Sequence, residues 1–442
     1  MKTRDYFYSV CEHLKTLLAP SQVFTSWYVG EESDFVRFNK AAARQSGSVE
    51  QGTLNLDLIE GQRHALVSLS LSGDFKHDTE RLSALVKEEQ ANLKNLPEDP
   101  YLLYATTPHS TEDIKSNHLP DAKKTVQDIL HRASGLDFVG YYASGTTHRG
   151  FANSLGQTNW TSSHSFNLDF SAYLHGDKAV KSNYAGIHWD ITQLEKQLDE
   201  VKQKQAILNQ PAMELKPGKY KAYLTPTAFY DIISLLAWSG FSEKASRTKQ
   251  SPLLHLSEGI DTLHPSVHFL ENTAKGLGPS FQANGFIKPP QVTLIQEGRL
   301  KNCLISPRSA KEYGIQTNGA SSDEMPESIE VAPGTLPNAN ILHELGTGLY
   351  INNLWYLNYS EKASCRMTGM TRFATFWVED GKIKSPLNVM RFDDTVFRIL
   401  GSHLLGLTQE REWIIDAHTY EHRAVSSAHL PGLLVNDFNL TL

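Results

Sequence analysis

Apolar residues at helical spacing open the chain over Tyr6–Leu18, and the pattern then changes to strict alternation. Asp34–Phe38, Gln51–Ile59 and His64–Ser72 read as strands, the last two joined by a turn at Glu60-Gly61. Thr79–Leu96 is an amphipathic helix stopped by Pro97 and Pro100, and Leu119–Arg132 is another. Phe138–Ala143, Gly150–Ser154 and Ser165–Leu174 follow as successive strands with small-residue turns between them. Ile191–Gln205 is a charged helix, and Gln210–Gly218, with Pro211 and Pro217, marks a junction between an N-terminal domain, 1–215, and a C-terminal domain, 216–442.

Beyond the junction, Tyr220–Leu224 alternates as a strand. Thr225–Ser239 is a helix with Thr225 as its N-cap and Pro226 in its first turn. Val292–Gln296 and Leu300–Ile305 flank Glu297-Gly298 as a hairpin, and the polar stretch Asn318–Asn340 predicts a surface loop. Leu349–Leu357 is an apolar run expected to be helical. Alternation through Phe373, Phe376 and Val378 leads to a hairpin turn at Asp380-Gly381. The fold class expected is α+β: two domains of mixed, largely antiparallel sheets with packed helices.

Composition narrows the function. A chain of 442 residues, 40% hydrophobic, can bury a large core, and its net charge of -7 offers no basic field for nucleic acid. Neither a signal-peptide core nor an apolar run long enough to span a bilayer is present, so a cytoplasmic protein with no membrane role is expected. Cys11, Cys303 and Cys365 are few and scattered, which fits reduced structural thiols rather than a disulfide framework or a clustered zinc site.

Histidine spacing gives the one internal candidate for metal chemistry. His418-Thr-Tyr-Glu421-His422 fits HxxEH, in which two imidazoles share a helical face and the glutamate serves as general base. A further ligand is needed from another element, with His429 and Asp437 as candidates. His343-Glu344 lacks a second histidine at zinc spacing, and His264 and His268 are separated by Pro265 with no glutamate. No GxSxG elbow and no phosphate-binding loop occurs.

Five blocks in fixed order carry a resemblance: ANSLG at Ala152–Gly156, Leu224–Ala245, NGFIKPPQVTLIQEGRLKNCLIS at Asn284–Ser306, Gly346–Leu400, and LPGLLVNDFNLT at Leu430–Thr441. Together they resemble the TldD/PmbA family, in which a zinc metallopeptidase subunit, TldD, pairs with a related subunit, TldE or PmbA, that lacks the metal-binding helix. In the peptidase members two histidines of an HExxxH motif on a helix of the second half hold zinc, and a cysteine near the C terminus completes the protein ligands. The matching helix here, TPTAFYDIISLLAWS, has neither histidine nor glutamate, and no cysteine follows Cys365.

The resemblance therefore implies a TldE-like subunit without its own cofactor, with zinc in a TldD-like partner, working as a heterodimer on unfolded peptide. A homodimer is the other assembly, as a stand-alone peptide-binding scaffold. A metal-dependent peptidase using His418, Glu421 and His422 is the third reading. Peptide-cleft candidates are Phe151, Ala152, Asn153, Ser154, Gly346, Thr347, Gly348, Asn352 and Asn353, where a sheet edge could receive an extended chain.

Overall fold

Alternating segments longer than the sequence pattern suggests build the first sheet. The computed structural model describes residues 3–442. Its first seven strands are β1 (Gln22–Asn39), β2 (Ala42–Glu60), β3 (Arg63–Ser70), β4 (Thr111–Ile114), β5 (Asp137–Asn153), β6 (Thr158–His175) and β7 (Lys178–Gly186). They form one sheet in the order β3-β2-β1-β5-β6, with β4 parallel to the start of β6 and β7 antiparallel to its later part. Four helices join them: α1 (Thr3–Lys15), α2 (Phe75–Asn92), α3 (Ala122–Arg132) and α4 (Ile191–Leu208). Asp74, Asp121 and Asp190 cap the last three, each accepting a bond from a first-turn N–H.

The two faces of this sheet do different work. Tyr28, Trp160, Phe166, Leu168 and Phe170 point to one face and pack under the helices. Ser163, Ser165 and Asn167 alternate with them on β6, point to the other face, and are also buried. A strand with one apolar and one polar face, both shielded from water, is sandwiched between helices and a second body. Phe138–Ala143 and Gly150–Ser154 are therefore parts of one strand, β5, rather than separate strands. The small-residue turn expected between them does not form: Gly145, at φ +144°, lies so near β1 that a Cβ there would sit 2.1 Å from the Glu32 carbonyl oxygen.

The second body starts with β8 (Gly218–Leu224) and α5 (Pro226–Ala237). Its remaining strands are β9 (Phe269–Glu271), β10 (Val292–Gln296), β11 (Arg299–Leu300), β12 (Ser328–Val331), β13 (Gly348–Glu361), β14 (Arg366–Glu379), β15 (Lys382–Pro386), β16 (Arg391–Thr395), β17 (Leu404–Ile415) and β18 (Ser427–Leu440). Pairing runs in a closed ring, β8–β13–β14–β16–β18 and back to β8, and β12 joins β18 to the β9–β10–β11 extension. Phe229, Ile232, Ile233 and Leu236 of α5 are at most 1% exposed against this ring. At about 1.5–3 kcal/mol for each such side chain, packing fixes the position of the helix. Among the described residues no helix is long and apolar enough to cross a membrane.

Three expectations are corrected. Leu349–Leu357 is strand β13, not helix: its first half is flanked by β8 and β14 and buried on both faces, which leaves no periodicity to separate the two states, and Tyr350, Ile351, Trp355 and Tyr356 favour the strand. Asn318–Asn340 is not a surface loop, since it holds strand β12 and the buried Glu324. Burial pushes the Glu324 carboxyl up, but bonds from Ser242 Oγ, Lys244 N, and Ser306 N and Oγ outweigh this and hold it below the usual range. The 292–305 hairpin turns at Glu297-Gly298, both at positive φ, but its second strand ends at Leu300. The turn at Asp380-Gly381 forms with both residues at positive φ.

Candidate functional site

Where α5 meets the polar face of the first sheet, buried hydrogen bonds join the two halves of the chain. Thr225 caps α5 by accepting from Ala228 N at 3.2 Å, and its hydroxyl donates to Asn352 O at 2.8 Å, tying the helix to β13. One and a half turns later Asp231 Oδ2 accepts from Leu354 N at 3.0 Å. Asn352 donates to the Lys181 carbonyl on β7 and to Asn353 Oδ1, and accepts from Lys204 Nζ of α4 at 2.7 Å. Lys181 pairs with Asp169 of β6 at 3.4 Å. Asn183 donates to Asn167 Oδ1 at 2.7 Å, and Asn167 donates to Ile415 O at the end of β17. Tyr141 donates to Ala417 O at 2.7 Å.

Asp231 is the group with unusual chemistry here. Burial pushes its carboxyl up to about 7, and Asp169 pushes the same way, while the Leu354 N–H and Lys181 pull it down. A carboxyl so placed exchanges its proton near neutral pH, although a single carboxylate cannot anchor a catalytic zinc ion. Beside this junction a groove of about 850 Å³ runs between β1–β2 and the segment from Asp416 to Glu421, lined by Phe35, Arg37, Gln45, Val49, Gln51 and Tyr141.

The HxxEH residues lie in that segment, and no helix forms there. Asp416 to Ser426 is an irregular connection between β17 and β18, Glu421 sits at φ +65°, and its carbonyl accepts from Gln51 Nε2. His418 and Glu421 are exposed, and His422 is half-buried, its imidazole pushed down chiefly by burial and further by Arg149. The shared helical face expected of His418 and His422 is thus absent. The donors considered with them are engaged elsewhere: His429 lies on β18 opposite Trp413, and Asp437 is 3.8 Å from His403. Among the described residues no group of three or more His, Cys, Asp or Glu is arranged to hold a metal ion.

The cleft candidates divide into three groups. Asn352 and Asn353 belong to the junction network just described. Phe151, Ala152 and Asn153 are at most 2% exposed. Asn153 Oδ1 accepts from Leu155 N and Gln157 N to shape the β5–β6 turn, Ser154 Oγ accepts from Phe24 N, and the Phe151 ring covers Gly285. Gly346, Thr347 and Gly348 form the turn into β13, where Gly346 O accepts from Gly381 N and a Cβ on Gly348 would sit 2.2 Å from Lys221 O.

Sequence reasoning missed Asn167, Asp169, Lys181, Asn183 and Lys204. It also missed Arg423, buried between the halves, which donates to Ser165 O and Oγ at 2.9 and 2.8 Å while its own N–H donates to Glu31 Oε2. The usable signal was the run Ser163, Ser165, Asn167, Asp169: polar residues at every second position of a strand whose other face is aromatic and aliphatic.

Residues 217–442 match the family described as PmbA/TldA metallopeptidase C-terminal domain. No curated protein matches the sequence. Among solved structures, the chain is similar to a candidate modulator of a DNA gyrase from Thermotoga maritima MSB8, with a TM-score of 0.76, 12% identity and 99% of each chain covered. It is also similar to TldE from Thermococcus kodakarensis, with a TM-score of 0.73 and 14% identity over 99% of this chain and 100% of that one. A candidate modulator of DNA gyrase from Bacteroides thetaiotaomicron VPI-5482 gives a TM-score of 0.73 and 15% identity over 100% and 99%. At these identities the likeness is one of fold.

Proposed function

Because the chain belongs to the PmbA/TldD metallopeptidase family, we propose that it is a TldE-like, non-catalytic subunit that partners a TldD-like zinc peptidase in the cytoplasm and helps enclose unfolded peptide. The observation that carries this reading is α5. It resembles the helix that bears the zinc motif in peptidase members and faces the junction of the two halves, yet its ionisable groups are Tyr230 and Asp231, with no histidine and no glutamate. Zinc needs several imidazole, thiolate or carboxylate donors converging on one point, and α5 supplies one carboxylate. Zinc and the water it activates therefore belong to the partner, and this chain contributes the walls of an enclosure. The groove beside β1–β2 supports a peptide-handling role, since β2 from Ala42 to Gln51 has no second strand partner among the described residues, and such an edge bonds extended peptide with little regard for sequence.

The test is zinc content by elemental analysis of untagged protein purified without chelator, alone and after co-expression with a TldD-like partner, together with cleavage of an unfolded peptide. The reading expects neither zinc nor cleavage in the lone chain and both in the complex. About one equivalent of zinc in the lone chain, lost with His418→Ala/His422→Ala, overturns it.

A further inference from the structure

On the helix-covered face of the first sheet, beside the aromatic core around Trp160, two glutamates stand directly opposite each other. Glu32 of β1 pairs in register with Glu50 of β2. Like charges in directly opposed cross-strand positions destabilise a sheet. No lysine or arginine lines the cavity of about 410 Å³ that they border, and neither carboxylate has a lysine or arginine partner among the described residues. The one basic group on Glu32 is His148, whose Nε2 lies 3.4 Å away and whose imidazole is pushed down by burial, toward the neutral form.

A second observation concerns the base of the same cavity. Gly30 and Gly52 are also directly opposed, one step along the same face, and the Tyr28 ring lies across both. A Cβ on Gly52 would fall 2.3 Å from the Tyr28 hydroxyl, and one on Gly30 2.6 Å from it. The glycine pair is thus a trough that carries the phenol toward the two glutamates. Tyr28 is 4% exposed and stacks on Trp160, and its hydroxyl has no hydrogen-bond partner among the described residues. Burial pushes this phenol up to about 12, and the nearness of Glu32 and Glu50 adds to the shift, so it remains an O–H. Thr3 from α1, whose hydroxyl donates to Glu32 Oε1 at 3.3 Å, and Ser72 before α2, whose hydroxyl donates to Asp78, close the sides.

We propose that this cavity binds an alkylammonium group, with Glu32 and Glu50 accepting its N–H bonds and the Tyr28 oxygen as a neutral acceptor at the base. The group has the chemistry of a lysine side chain or a short free diamine. Among the described residues these carboxylates belong to no group of three or more His, Cys, Asp or Glu able to hold a metal ion, whereas an ammonium carries its donors on a single centre and needs fewer acceptors. The aromatic wall suits the methylene chain behind the charge. The inference does not depend on the zinc-partner reading, since Glu32, Glu50 and Tyr28 line neither the groove beside β1–β2 nor the junction network.

Calorimetric titration of the full chain with 1,5-diaminopentane, and separately with a Gly-Lys-Gly peptide blocked at both ends, tests it. Saturable binding of at least one probe is expected, weakened by salt and reduced about tenfold or more in Glu32→Gln/Glu50→Gln through loss of charge-assisted bonds. Which probe binds decides between a free amine and a peptide side chain as the source. The same double substitution removes the like-charge pair and should leave the melting temperature of the free protein unchanged or raised, so weaker binding there cannot come from unfolding. Tyr28→Phe should weaken binding less than the double substitution. Absence of saturable binding by both probes, or equal binding by wild type and Glu32→Gln/Glu50→Gln, overturns the proposal.

Discussion

Replacing Asp231 by Asn should stabilise the protein at pH 8 and do little at pH 4. The carboxyl is held at about 7 in the folded chain against an ordinary 3.8. For an acid raised in this way, the contribution to stability is fully present below the unfolded value and is lost as pH rises through the folded one, so the window runs from about pH 4 to about pH 8. Taken at face value the gap is worth about 4 kcal/mol. Asp231 is only half-buried, so water screens part of this, and about 1–2 kcal/mol is the expected size. Asn keeps an oxygen to accept from Leu354 N and carries no charge to desolvate. For a domain of this size the gain corresponds to about 3–6 °C in melting temperature. Thermal unfolding of wild type and Asp231→Asn, followed by circular dichroism at pH 4, 6 and 8, reads it. Glu271, also pushed up to about 7 by burial, titrates in both proteins and cancels from the difference. A gap between the two proteins that fails to widen with pH, or a variant that melts below wild type at pH 8, refutes the reasoning.

Three other outcomes follow from the packing. Arg423→Met should cost about 1–3 kcal/mol by leaving the buried Ser165 carbonyl and hydroxyl without their guanidinium donor, while the bond from the Arg423 main-chain N–H to Glu31 persists, read from urea midpoints. Gly145→Ala should destabilise by at least about 2–3 kcal/mol, because a Cβ there meets the β1 backbone at a φ few side chains adopt, and chemical denaturation measures it. Cys11, Cys303 and Cys365 all have thiols pushed up by burial, so a thiol-specific disulfide reagent at pH 8 should label none rapidly in the native state and all three in denaturant.

Local signals were legible where one face of an element meets water. The helices α1 to α5 were readable from periodicity, with Thr225 and Pro226 placed at the start of α5 and turns at Asp380-Gly381 and Glu297-Gly298. What failed was buried on both sides. β13 reads as helical because Leu349–Leu354, buried on both faces, shows no strand alternation, and β12 reads as a loop because its polar residues bond inside the protein rather than to water. The junction site was legible only in part. Asn352, Asn353 and Asp231 stand in segments that drew notice, but their partners Asp169, Lys181 and Lys204 come from distant positions that only the packing of the halves brings near. HxxEH misled because spacing carries meaning only if a helix forms, and the segment from Asp416 to Ser426 does not form one.

The ring of β8, β13, β14, β16 and β18 also sets an order of events during synthesis. β18 is bonded to β8, β12, β16 and β17, so the strand from Ser427 to Leu440 is the hub of a sheet whose first member was made some two hundred residues earlier, an interval on the order of ten seconds or more at ribosomal speed. The first sheet, complete by Gly186, can assemble while the ribosome is still working, but β8 and α5 must wait with their apolar faces uncovered. The nascent second half is thus exposed for most of its translation, and this is the interval in which a chaperone has most to shield.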